Sequence, residues 1–167
     1  AEHISNDGAG AWAEFGPLFD GIRWSEQRCR VLPSICKALA GNPSLCTAAR
    51  MPGRTHGTEK ISREDVSTLC GSDSVVTVLR LRPGASILPH CGTTNGRLIL
   101  HFPITGAEGV RLVVGDQEVL SYGQGDGSAV VFDDSFEHHV YHDGEQDRFI
   151  VLAVLAHPDR FTLPVAH

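Results

Sequence analysis

The stretch Val75-Val76-Thr77-Val78-Leu79-Arg80-Leu81, closed by Pro83-Gly84, decides how the rest of this chain is read. β-Branched residues and leucines in a short run, ended by a turn pair, indicate a strand. The same texture continues to the C-terminus. Arg97-Leu98-Ile99-Leu100-His101-Phe102 is the next strand, ended by Pro103. Val110-Arg111-Leu112-Val113-Val114 and Gln117-Glu118-Val119-Leu120-Ser121-Tyr122 flank Gly115-Asp116, a short hairpin turn. Ser128-Ala129-Val130-Val131-Phe132 and His138-His139-Val140-Tyr141-His142 follow, then Arg148-Phe149-Ile150-Val151-Leu152-Ala153-Val154-Leu155-Ala156 before Pro158. Seven strands at short spacing with turn signals indicate a β-sandwich or jelly roll, an all-β dominated domain. No strand–helix alternation is present, which excludes a parallel α/β sheet.

Upstream the signals are weaker. Residues 1–14 are rich in Gly, Ala and Asn and read as a loose N-terminal segment up to Trp12; residues 15–167 read as one domain. Phe15, Leu18, Phe19, Ile22 and Trp24 anchor a short entry strand or loop over 15–24. Ser34-Ile35-Cys36-Lys37-Ala38-Leu39-Ala40 is a short helix closed by Gly41 and Asn42-Pro43, and a second short helix is expected over 43–50. Residues 51–72 are polar and irregular and read as a long loop.

The 167 residues suffice for one domain with a real core, and 18 glycines with 9 prolines favour many turns. A net charge of −6 with dispersed Lys and Arg argues against nucleic acid as a partner. No apolar stretch is long enough to cross a bilayer, so no membrane contact is expected within this piece. No signal peptide is visible, and a start at Ala1 rather than Met suggests a fragment or mature piece. Five cysteines are many for a cytosolic domain of this size. The Cys29/Cys36 spacing suits a small disulfide loop, and Cys46 with Cys70 could form a second, although spacing alone leaves connectivity open. Cys91 is then left over. This cysteine usage points to a secretory compartment such as the endoplasmic reticulum lumen.

His90, after Pro89 at the end of an extended run, and His138, after Asp133-Asp134-Ser135-Phe136-Glu137, are the candidate metal ligands. A jelly roll can bring such strand ends together at its mouth, and two neutral imidazoles suit Fe(II) among other divalent ions. Non-haem Fe(II) oxygenases ordinarily add a carboxylate, commonly two residues after the first histidine; here that position is Gly92, and water would fill the corner. Most of the nine histidines are expected at the surface. Asp133, Asp134 and Glu137 are rival ligands or turn formers. His139 falls on the opposite strand face from His138, and His142 on the same face but further along. Arg148 either clamps a carboxylate through its planar fork or is the exposed end of a greasy strand. Arg97 and His101 share a strand face with Ile99; they either hold a second carboxylate in the interior or pair at the surface with acids such as Glu118.

Taken together these residues resemble the aspartyl/asparaginyl β-hydroxylase family of 2-oxoglutarate-dependent oxygenases. Pro89-His90-x-Gly92-x-Thr94-Asn95-x-Arg97-Leu98-x-x-His101 is similar to its first motif, and Phe132-Asp133-Asp134-Ser135-Phe136-Glu137-His138 to its second. Arg148 falls at the family's spacing, Val154-x-x-His157-Pro158 resembles its tail, and Trp12-x-x-Phe15 loosely resembles an entry motif. The resemblance implies a distorted double-stranded β-helix, jelly roll or cupin-like, with short N-terminal helices. It implies catalytic iron held by His90 and His138 alone, which makes Gly92 a family feature. It implies that Arg148 binds the distal carboxylate of 2-oxoglutarate, with His101 near the keto end, and that O2 is the co-oxidant. It also implies hydroxylation of the β-carbon of Asp or Asn in a protein or peptide, by analogy with animal members an EGF-like domain. Animal members carry a disulfide matching Cys29/Cys36. Two positions depart from the pattern. Ile99 replaces an arginine that holds the keto-end carboxylate, so either Arg97 compensates or cosubstrate binding is weak. Leu79 replaces a serine that supports the distal carboxylate, for which Thr77 on the same face could substitute. These departures keep open a catalytically silent binding module; a further alternative is an oxygenase acting on a small molecule.

Overall fold

A computed structural model describes residues 4–5, 11–47, 63–71, 75–119 and 128–161. Chain order gives β1 (Ile4–Ser5), β2 (Trp12–Glu14), α1 (Glu26–Val31), α2 (Pro33–Leu39), α3 (Arg63–Cys70), β3 (Val76–Leu81), β4 (Ser86–His90) and β5 (Arg97–Thr105). Then follow β6 (Val110–Val114), β7 (Gln117–Glu118), β8 (Val130–Phe132), β9 (His138–His142), β10 (Arg148–Ala156) and a 3-10 turn (Pro158–Phe161). The strands form two five-stranded antiparallel sheets, ordered β1-β4-β9-β6-β7 and β2-β3-β10-β5-β8. This is the all-β jelly roll the strand series indicates.

Alternation sets the inner faces. Arg97, Ile99 and His101 of β5 are buried, as are His138, Val140 and His142 of β9 and Arg148, Ile150 and Val154 of β10. β10 is buried on both faces over most of its length, because Val151, Ala153 and Leu155 belong to the apolar core with Leu45, Cys46 and Cys70. That explains why its sequence is nearly continuous in apolar residues rather than alternating.

The chain crosses between sheets at both ends of the sandwich. At one end the 91–96 and 133–137 segments meet, where the Gly92 amide donates to the Asp134 carbonyl at 2.6 Å. At the other end the turns 82–85, 106–109 and 143–147 lock together. There Gly84 N–H donates to His142 O at 2.8 Å, His142 N–H to Ala85 O at 3.1 Å and Asp143 N–H to Gly109 O at 3.0 Å.

Several elements differ from the sequence reading. β5 runs through Pro103 to Thr105; Pro103 lies opposite Ile150 where the β5–β10 register shifts, a place where a missing N–H is tolerated. The strand after Gly115-Asp116 is only Gln117–Glu118, and residues 120–122 lie outside the described residues. No helix covers the described part of 43–50; Leu45 bridges Leu155 instead, and Cys46 N–H donates to Val154 O at 2.9 Å. The edge of the sheet offers backbone partners there, and they outweigh a weak local helix preference. The 51–72 loop contains α3, with 51–62 outside the described residues. The loose segment proposed for 1–14 contributes β2, which pairs with β3. α1, capped by Ser25, precedes the expected helix, which starts at Pro33.

Both anticipated disulfides are present. Cys29–Cys36 staples α1 to α2 with Cα atoms 5.7 Å apart, and Cys46–Cys70 ties the end of α3 to the segment paired with β10, at 6.1 Å. Cys91 is free and exposed.

Candidate active site

His90 and His138 lie directly opposite each other on β4 and β9. Their ring centroids are 4.2 Å apart, with planes inclined by 52°. A bulge makes this pairing possible. Between the pairs Ile87↔Val140 and His90↔His138, β4 advances three residues while β9 advances two. The extra residue, in the exposed Leu88-Pro89 stretch, puts His90 on the same inward side as Ile87; strict alternation would put it outside. Proline suits the spot because a bulged residue leaves the ladder.

Both rings are oriented the same way. Nδ1 of His90 lies 2.8 Å from the Leu88 carbonyl, and Nδ1 of His138 lies 3.0 Å from the Phe136 carbonyl. A carbonyl can only accept, so Nδ1 carries a proton in each ring, and Nε2 is the atom that holds the lone pair in the neutral form. This is the arrangement of a metal-binding histidine oriented by a backbone carbonyl. Burial lowers the pKa of His138; the neighbouring His90 and Arg97 act in the same direction, against the Phe136 hydrogen bond and Asp134. The ring is therefore neutral at neutral pH, the form that binds metal.

The pair sits on a cavity of about 270 Å³ between the two sheets. Its walls are apolar, including Leu79, Leu81, Ile87, Ile99, Val140, Ile150 and Leu152. Five charged or ionisable side chains interrupt them besides the histidine pair: Arg80, Arg97, His101, Asp134 and Arg148. Arg148 opens β10 and is only 2% exposed, so it is not a surface strand end. Burial lowers its pKa to about 9, which leaves the guanidinium charged at neutral pH. Leu81 lies between Arg148 and Trp12 in the row β10-β3-β2, and Trp12 lines the same cavity. His101 stands between the two ends. Its ring meets Phe132 edge-on at 5.2 Å, and Phe132 meets His138 at 5.3 Å. Burial, then the charges of Arg148 and His138, push the pKa of His101 well below its ordinary value, so it is a neutral hydrogen-bonding group.

Arg97 lines the cavity, but the structure gives it another partner than a bound carboxylate. Its Nε donates to Oδ1 and Oδ2 of Asp134 at 3.1 and 2.9 Å, Nη2 also reaches Oδ2, and Nη1 donates to the Cys70 carbonyl at 2.6 Å. Both side chains are buried. In the structure Arg97 forms this buried ion pair in place of the surface pair with Glu118. Thr77 is engaged with the backbone in the same way. Its hydroxyl donates to the Gly16 carbonyl at 3.0 Å, and it faces Leu152, whereas Arg148 faces Leu81, four residues and roughly 13 Å further along β3.

The remaining candidates separate cleanly. Asp133 forms a turn, accepting from the Ser135 amide at 2.9 Å. His139 is on the outer face, where its ring packs on Tyr141 at 5.0 Å. His142 is buried at the far end, with Nε2 against the Gln146 carbonyl at 2.8 Å and Nδ1 accepting from Gly144 N–H at 3.3 Å. The sequence reading missed the partnership of Arg97 with Asp134. The available signal was the position of Arg97 beside Ile99 and His101 on a buried face, because an interior guanidinium requires an anion. Among the described residues no group of three or more His, Cys, Asp and Glu side chains converges on a metal position.

Comparison with known proteins gives the same direction. Aspartyl/asparaginyl beta-hydroxylases of Mus musculus and Homo sapiens are each 28% identical over 151 residues, covering 90% of this chain but only 17% and 16% of their own lengths. Aspartate beta-hydroxylase domain-containing protein 2 of Homo sapiens is 34% identical over 82 residues, covering 47% of this chain and 21% of that protein. Among solved structures, the Schizosaccharomyces pombe Cnp3 cupin domain aligns with a TM-score of 0.40 at 7% identity, over 54% of this chain and 63% of that one. A Cupin 2 conserved barrel domain protein from Salinispora arenicola aligns at 0.36 and 16% identity, over 52% and 68%. The family profile described as aspartyl/asparaginyl beta-hydroxylase matches residues 54–158, which includes both histidines, Arg148 and the strands that carry them, and the chain belongs to that family.

Proposed function

We propose that this domain is an Fe(II)- and 2-oxoglutarate-dependent oxygenase that hydroxylates the β-carbon of Asp or Asn in a protein substrate. The observation that carries the reading is the facing pair His90 and His138, each with Nδ1 committed to a carbonyl, at one end of a cavity that holds the buried cation Arg148. The donor set fits a divalent ion: two imidazoles face each other, each with Nδ1 turned to a backbone carbonyl. The cavity fits a small dicarboxylate, because a buried guanidinium with a planar fork favours a carboxylate beside it.

Fe(II) with 2-oxoglutarate and O2 supplies the oxidation, yielding succinate and CO2 while one oxygen atom goes to the substrate carbon. The chain's part is binding and positioning. His90 and His138 hold the metal at the mouth of the sandwich. Arg148 binds the distal carboxylate, with Trp12 and Leu81 beside it. His101 presents a neutral N–H towards the keto end. Leu79, Ile99, Ile150 and Leu152 exclude water from the channel between, which strengthens the ion pair at Arg148. By the family resemblance, the substrate class is an Asp- or Asn-bearing peptide such as an EGF-like domain. Two disulfides support action in a secretory lumen.

The test is anaerobic titration of the metal-free protein with Fe(II) and 2-oxoglutarate, followed by visible charge-transfer absorption. A band that requires both components supports the reading, and EGF-like peptides and free amino acids are then compared as oxygen acceptors. Bound metal without the band would overturn it. The second reading, a silent binding module, is favoured by one observation: with Arg97 engaged by Asp134, Ile99 leaves the metal end without a second cationic clamp. Under that reading His138→Ala leaves ligand binding largely intact.

A further inference from the structure

We propose that Arg97 is a positioning residue that withholds Asp134 from the metal, so that Asp134 is a latent third ligand of the two-histidine site. The inference rests on the reading of His90 and His138 as ligands. Gly92 stands two residues after His90, where a two-histidine, one-carboxylate site has its acid. In this chain a carboxylate stands beside Gly92, but it comes from another segment: a Cβ added at Gly92 would overlap Cγ and Oδ2 of Asp134. The same contact explains why no side chain is present at 92. Asp134 lines the cavity with both histidines, and its backbone is fixed to the Gly92 amide. It lacks neither burial nor proximity to the site.

What it lacks is freedom. Arg97 engages both carboxylate oxygens through Nε and Nη2. Arg97 in turn cannot swing away, because Nη1 is held by the carbonyl of Cys70, itself bonded to Cys46. A guanidinium and a divalent cation compete for the same buried anion. Removing one partner of a buried pair leaves an uncompensated charge. Beside an imidazole-bound metal, that charge has a ready second cation. The disulfide, the Cys70 carbonyl, Arg97 and Asp134 thus form one chain of contacts that keeps the metal's third protein position open.

The test is Co(II) titration of the metal-free protein, read by visible d–d absorption and by affinity. Arg97→Gln keeps a polar side chain but removes the charge and the Nη1 contact to the Cys70 carbonyl. It is expected to tighten Co(II) by about tenfold, within the range of outer-shell effects on metal sites, and to change the spectrum. The double variant R97Q/D134N is expected to lose both changes. Asp134→Asn alone is expected to keep a parent-like spectrum; a changed d–d spectrum there would show that Asp134 is already a ligand and overturn the inference. R97Q with parent affinity and spectrum also overturns it, provided the parent spectrum depends on His138. A parent without a His138-dependent spectrum removes the metal-site reading and this inference together. If R97Q does not fold, Arg97→Met is read in its place, with the same two outcomes.

Discussion

His101 shows how much a single side chain's surroundings decide. Burial, with Arg148 and His138 adding to it, holds its pKa well below 6.5, while in the unfolded chain it titrates near 6.5. Between those two values the unfolded chain binds more protons, so stability increases with pH there. The contribution is complete above the unfolded value and is lost as pH falls through the folded one. The urea midpoint of the metal-free protein is therefore expected to be flat between about pH 7 and pH 8 and to fall below about pH 6.5, with His101→Gln reducing the slope. Arg148 has the reverse character, a group whose value lies in binding. Arg148→Met is expected to weaken 2-oxoglutarate by about 2–5 kcal/mol, the usual cost of removing a partner from a buried charge pair. Its metal-free stability should fall by no more than about 1 kcal/mol, because a well-packed apolar side chain replaces a desolvated cation. Isothermal titration and thermal unfolding of the same variant check both halves. The sequence marks Arg148, His90 and His138 by motif and spacing. It could not show that Arg97 is neutralised, since its partner lies 37 positions away in another turn.

At the scale of elements, the bulge in β4 carries the site. Without the extra residue at Leu88-Pro89, His90 falls on the outer face and the pair opposite His138 is lost. Deleting Leu88 is expected to abolish metal binding with the far-ultraviolet circular dichroism of the β-fold retained; Co(II) binding that survives the deletion would show that the bulge is incidental. The covalent ties act on helices rather than strands. With sequence separations of 7 and 24, loop-closure entropy assigns about 2.5 kcal/mol to Cys29–Cys36 and about 3.5 kcal/mol to Cys46–Cys70. The pair Cys46→Ala/Cys70→Ala is therefore expected to lower stability more than Cys29→Ala/Cys36→Ala in denaturant titrations. It should also affect Co(II) binding, because the Cys70 carbonyl anchors Arg97. Strands with apolar alternation were legible from local pattern, as in β3, β6 and β9. β2 and α3 were not, because short polar segments take their conformation from what they pack against.

Across the whole molecule, the cavity joins the two sheets. His90 and His138 stand on one sheet, and His101 and Arg148 on the other. A ligand that spans them ties the sandwich together. Co(II) at about 100 times its dissociation constant is expected to raise unfolding free energy by about 2.7 kcal/mol by mass action. His138→Ala should remove that increment, and added 2-oxoglutarate should raise it further only where Arg148 is intact. Differential scanning calorimetry with and without each component gives the answer directly.

The sequence by itself determined the fold class, both disulfide pairings as candidates and the free Cys91, since each rests on short-range pattern or residue chemistry, and it marked His90, His138 and Arg148 by motif. The tertiary structure alone decided the rest. It placed His90 inward through a one-residue bulge, paired Arg97 with Asp134 across two separate turns, and turned Thr77 to the Gly16 carbonyl away from Arg148. These are long-range choices between partners of equal chemical suitability. Only packing distance separates them, and packing distance is a property of the folded chain.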